Sequence, residues 1–143
     1  MRWATRRDCH VDRTACAWLI RRFIDPDATF VFVADVADLP PDATAFDVPG
    51  AEFSHHNGLS TFEVMAAHYE IDDDGVAALG RIIHEADIED ERFDAPEAAG
   101  LNEIIRGLGE LLRDDGALID ATMLIYDALR LRGSVRRAPQ DDA

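Results

Sequence analysis

The sequence predicts an α+β fold, with a small early β-sheet, a buried N-terminal helix and a mainly helical C-terminal half. Three observations carry this reading. Thr29–Val33, TFVFV, is β-branched or aromatic at every position, the composition of a pleated, half-buried strand. Residues 15–20 carry no charge, and Trp18, Leu19 and Phe23 fall at helical spacing with Ala15. From Ser60 onward, apolar residues recur at intervals of three and four rather than two.

Taken in order, residues 2–6 alternate loosely and form a strand. Residues 12–23, DRTACAWLIRRF, follow as a helix apolar on nearly every side, which is the pattern of a buried one. Asp12 is expected to be its N-cap, accepting from the free N–H groups of the first turn. Pro26 bounds the far end, because the residue before a proline resists helical backbone. Pro40-Pro41 marks a loop, residues 44–48 a second short strand, and Pro49-Gly50 the turn that stops it. A third extended piece, residues 51–56, ends at Asn57-Gly58, a strong turn pair.

Ser60 and Glu63 make a capping box, S-x-x-E, for a helix with Phe62, Met65, Ala66 and Tyr69 on its core stripe. The next helix is expected over residues 75–90, with Val76, Leu79, Ile83 and Ala86 inward. Pro96 opens a fourth, whose stripe is Leu101, Ile104, Ile105, Leu108, Leu111 and Leu112. Asp114-Asp115-Gly116 breaks it, and Leu118, Ala121, Ile125, Ala128 and Leu129 build the last. A single domain over residues 1–133 is expected, and residues 134–143 as a frayed tail with little to bury.

Charge narrows the function. The net charge of −15 argues against nucleic acid as a partner, since phosphate binding rests on clustered cations. All 14 basic residues are arginines, and six of them lie within residues 1–22 against only Asp8 and Asp12. That segregation predicts a basic patch on an acidic body, with Arg13, Arg21 and Arg22 as candidates for a small oxyanion. No apolar run reaches the ~20 residues of a membrane span and the N-terminus has no signal-like apolar core, so a cytoplasmic chain is expected. Cys9 and Cys16, seven apart, have no zinc-ligand spacing and read as reduced thiols. Cys9, among Arg6, Arg7 and His10, is the more reactive of the two by expectation.

The chemistry concentrates in imidazoles and carboxylates. Glu52, His55 and His56 sit beside the Asn57-Gly58 turn, and in a strand the two histidines face opposite ways, so one of them joins a shared site easily. Asp87 and Asp90 fall about 40° and 20° from Ile83 at about 100° per residue, pointing two acids along a core-facing stripe. His84 is three residues from Asp87 and can share a ligand with it. His55, His56, Glu63, His84, Asp87 and Asp90 are therefore the candidate ligands of a divalent ion, zinc, manganese or iron. A metal- or oxyanion-binding domain is the first reading, and a hydrolytic or redox enzyme using the same ion is the second.

The run VDRTACAWLIRRFIDPDATFVFV at residues 11–33 resembles the chromate-resistance family, in the C-terminal domain of ChrB-type proteins. So do FDVPGAEFSHH at 46–56, TFEVMAAHY at 61–69, IIHEADIED at 82–90 and APEAAGL at 95–101. The resemblance covers nearly the whole chain from about residue 3 to 131. It implies a regulator or accessory factor in chromate resistance and metal stress. Longer members carry an added N-terminal region suspected of binding DNA. This chain begins at the domain itself, so no DNA binding of its own is expected.

Overall fold

Strand β1 (Arg2–Arg6) is the middle of a three-stranded sheet, and its inner residues Trp3, Ala4 and Thr5 are all buried. The computed structural model describes residues 1–137. Strand β2 (Thr29–Val33) runs parallel to β1, pairing from Arg2 opposite Thr29 to Arg6 opposite Val33. Parallel neighbours need a crossover. Helix α1 (Val11–Leu19) supplies it, continuing through one wider π-helical turn at Ile20–Ile24.

Strand β3 keeps only Thr44–Ala45 of the expected 44–48, because Asp47 turns left-handed at φ 53°. The extended piece expected at 51–56 is a loop instead, touching the sheet through a single bridge between Phe46 and Phe53. The turn that follows is as expected. Asn57 and Gly58 have φ of 51° and 77°, and the backbones of His56 and Leu59 pair across them.

Four helices complete the chain: α2 (Thr61–His68), α3 (Asp74–Asp87), α4 (Glu97–Leu112) and α5 (Asp115–Arg137). Ser60 and Glu63 form the expected capping box of α2. Helix α3 stops at Asp87, three residues short of Asp90. Glu89 and Glu91 are left-handed at φ 56° and 58° and reverse the chain there. Helix α5 runs four residues past the expected boundary at 133, and residues 138–143 of the expected tail lie outside the described residues.

Two further expectations are corrected by packing. On α4, Leu101 and Ile105 are buried, but Ile104 and Leu111 are 52% and 80% exposed. On α5, Ile119, Thr122 and Tyr126 join Leu118 in the core, while Ala121 and Ala128 face outward. A second fact fixes that rotation. A Cβ on Gly75 would lie 2.3 Å from the Arg130 carbonyl oxygen, and one on Gly133 would lie 2.6 Å from Ala78 Cβ. The two glycines let α3 and α5 touch backbone to backbone.

The core gathers around Trp18, which is fully buried. Its ring stacks on Phe62 at 6.4 Å, meets Phe23 edge-on at 5.8 Å and lies 6.3 Å from Tyr126. Its indole N–H donates to Asp127 at 2.8 Å, so the one polar atom of the side chain is satisfied. Trp18 thereby joins α1, α2 and α5. Trp18→Ala removes the transfer energy and leaves a cavity, costing about 3–5 kcal/mol. Chemical denaturation should show that loss, and a variant as stable as the parent would mean that α1 does not centre the core.

Candidate metal centre

Asp12 sits in the second position of α1, and it does not cap its own helix. The N-cap of α1 is His10, with no side-chain cap bond. The Asp12 carboxylate crosses instead to α2, where it accepts from the Thr61 N–H at 2.8 Å and the Phe62 N–H at 2.9 Å. Cys16 Sγ, one turn along α1, adds a 3.6 Å contact. A buried acid has thus become the cap of a neighbouring helix, where the dipole also favours its charge.

His55 arrives from the loop before the Asn57-Gly58 turn. Its Nε2 lies 2.9 Å from Asp12 Oδ2, 2.9 Å from Asp87 Oδ2 and 3.9 Å from Asp47 Oδ1. Asp87 comes from the last turn of α3. Asp47 is held from two sides, by the Thr61 hydroxyl at 2.7 Å and by Arg13 Nε at 3.1 Å. Arg13 further donates to the carbonyls of Asp47, Arg6 and Arg7 at 2.8, 3.1 and 3.2 Å, so its fork is spent within the protein. Three carboxylates and one imidazole therefore converge, with a single arginine behind them.

The electrostatics follow. Hydrogen bonding to Asp12 raises the His55 pKa to about 9 against the opposing effect of burial, and the charges of Asp87 and Asp47 add to the rise. Burial and the nearby Asp12 charge push Asp47 up to about 6. Burial, then Asp12, raises Asp87 as well. Such a cluster holds protons because it lacks positive charge.

A second cluster is built on His84, three residues before Asp87 on α3. The fully buried His84 ring sets Nδ1 2.6 Å from Glu63 Oε1 and Nε2 2.9 Å from both oxygens of Asp90. Two ring nitrogens that each face a carboxylate are satisfied only as N–H donors, which makes the ring an imidazolium. Burial opposes that charge, but the bonds to Glu63 and Asp90 prevail and its pKa is raised. Glu63 also accepts from the Ser60 N–H at 3.0 Å. This cluster clamps α2, α3 and the reversed loop together.

The six candidate ligands thus divide. His55 and Asp87 share one cluster; Glu63, His84 and Asp90 share the other; His56 belongs to neither, its backbone paired with Leu59. Asp12 and Asp47 were missed. A lone acid within an apolar helix was the available signal for Asp12, but nothing local marks Asp47. The arginines do not converge. Arg21 pairs with Asp120 at 2.7 Å and Arg22 grips Asp127 through two bonds of 3.0 and 2.7 Å, so neither is left free for the expected oxyanion. Both cysteines are buried, and burial raises their pKa values, so Cys9 is not the thiolate that its basic neighbours suggested.

The donor set suits a cation. Two donors each about 2.1 Å from one ion, at right angles, stand about 3.0 Å apart. The 2.9 Å separations from His55 Nε2 to Asp12 and Asp87 match that spacing. A cleft of about 410 Å³ lined by Asp47, Val48, Pro49, Gly50, Ser54 and His55 opens on the site.

Fold and site define a class: a parallel three-stranded sheet and a helical array enclosing an acidic, imidazole-bearing centre. The chain belongs to the family described as ChrB, C-terminal domain, whose model matches residues 3–132. It is similar to Protein ChrB of Cupriavidus metallidurans, 45% identical over 128 residues that cover 89% of this chain and 39% of that protein. The chain therefore spans about two-fifths of the length of this curated relative. No solved structure matches. Among the described residues, no helix is long and apolar enough to cross a membrane.

The folded state holds the His55 proton more tightly than the unfolded chain does. Its stabilisation is complete below the ordinary value of 6.5 and is lost as pH rises through about 9. Melting temperature measured from about pH 7 to 10 should fall, and His55→Gln should flatten that fall. Parallel pH profiles for the two proteins would show that His55 does not carry the effect.

Proposed function

We propose that this domain binds a divalent metal ion at Asp12, His55 and Asp87, with Asp47 as a fourth donor, in the service of chromate and metal-stress resistance. One observation carries the reading: a single imidazole nitrogen stands 2.9 Å from two carboxylate oxygens in a pocket with more acid than base. Three carboxylates close together repel, and a proton shared through His55 only partly relieves them. A divalent cation relieves them better and displaces that proton. Oxygen-rich donors with one imidazole suit manganese, iron(II) or zinc. Arg13 and Thr61 hold Asp47 in place, and the α2 N-terminus holds Asp12, so the donors are oriented before the ion arrives.

The link to chromate resistance rests on the family resemblance. The domain acts in this reading as a metal-responsive module and needs no nucleic acid contact of its own.

Calorimetric titration with manganese, iron(II) or zinc should show one site. His55→Ala and Asp87→Asn should each weaken it by 10-fold or more, about the effect of removing an orienting or ligating group. His56→Ala, outside both clusters, should leave it unchanged. Affinity should rise with pH as the His55 proton becomes easier to displace. The reading fails if the parent binds none of the three ions.

The acidic surface gives a further expectation. An anisotropy titration with duplex DNA at physiological salt should show no binding below about 10 µM. Nanomolar sequence-specific binding would overturn the nucleic-acid-independent role.

A further inference from the structure

Helix α5 has two apolar faces. One carries Ile119, Thr122 and Tyr126 into the core. The other carries Ala117, Ala121, Leu124, Ala128, Leu131 and Val135, spaced by alternating steps of four and three. At about 100° per residue this row stays within about 40° of the line opposite Tyr126. Leu124, Leu131 and Val135 are 77%, 64% and 51% exposed. A repeat of fours and threes is the seam of a helix that pairs with another helix.

We propose that the occupant of this seam is a second copy of this chain, with the two α5 helices antiparallel about a two-fold axis at the level of Tyr126. The sequence of the row is the argument. Read against its own reverse, it sets Ala117 opposite Val135, Ala121 opposite Leu131 and Leu124 opposite Ala128 of the other copy. Each layer matches a small side chain with a larger one, and the match is the same from either copy, as an isologous interface requires. A parallel pairing would set alanine on alanine at 117, 121 and 128 and leave those layers hollow.

Charge permits the same pairing. A chain of net charge −15 repels its copy, yet the acids on one flank of this row are already closed. Asp120 is held by Arg21 at 2.7 Å and Asp127 by Arg22 at 2.7 Å. Half-buried Ile125 and exposed Arg132 lie along the other flank, so no unpaired acid borders the seam among these residues. The arginines that do not serve the metal centre neutralise this edge.

Sedimentation equilibrium at micromolar concentration should give twice the chain mass of 15.8 kDa. Leu124→Glu with Leu131→Glu should give the single mass while keeping the helical circular dichroism of the parent, since both side chains project away from the core. Ala128→Leu should weaken association about tenfold, because it overfills a layer that needs a small residue. Chains carrying Ala121→Cys and Leu131→Cys should cross-link with a short bismaleimide when mixed, and neither should when alone, since each lies about 15 Å along the axis from its own copy. A monomeric parent would overturn the proposal and leave the face to another part of a longer protein. Tighter association by Ala128→Leu, or cross-linking of the Ala121→Cys chain with itself, would overturn the antiparallel register.

Discussion

The carboxylate of Asp12 is the contact on which the rest of the site depends. It is 2% exposed, and a charge so buried is costly unless each oxygen is well bonded. Here one oxygen accepts from Phe62 and the other from Thr61 and His55. The two backbone N–H groups would otherwise be orphans at the start of α2, and Ser60 satisfies the next one, that of Glu63. One side chain therefore fixes the contact of α1 with α2, and with it the position of every group that approaches the same acid.

The two central histidines resolve the same electrostatic problem in different ways. His84 is sealed, with a carboxylate on each nitrogen, and its charge is matched inside a closed unit. His55 is 51% exposed at the side chain, and its Nε2 faces three acids. In the first arrangement each ring nitrogen already has a carboxylate partner. The second holds an excess of negative charge beside an opening, and the proton on His55 relieves that excess only in part. The two imidazoles differ in enclosure rather than in the type of partner: the His84 ring is fully buried and the His55 side chain is half exposed.

The arginines serve the frame. Asp127 accepts from both the Trp18 indole and the Arg22 guanidinium, so the central aromatic of the core and a surface cation share one acid. Arg130 lies 4.8 Å above the Phe23 ring and pairs with Asp73 at the start of α3. A guanidinium presents a planar fork with several donors, and these forks are filled by carboxylates across helix boundaries. Arg21 and Arg22 thereby act as counterions of acids on α5, and Arg2 and Arg13 of aspartates in the loops that follow β2.

What the sequence determined by itself is local. The strand Thr29–Val33, the box of Ser60 and Glu63, and the turn at Asn57-Gly58 each follow from neighbouring residues, so they were legible. The buried character of α1 was legible too, because Trp18 and its apolar neighbours have nowhere else to go. The motifs also carried the family. Tertiary structure alone decided the rest. Asp12 could not be read as a cap for α2, since its partners lie 49 and 50 residues away. Asp47 entered the site through a left-handed turn that no pattern announces. The core face of α5 was set by the close approach of Gly75 and Gly133, because periodicity finds apolar stripes but cannot rank two opposed stripes on one helix. A pattern of period 3.6 fixes which residues share a face, and only packing fixes what that face meets.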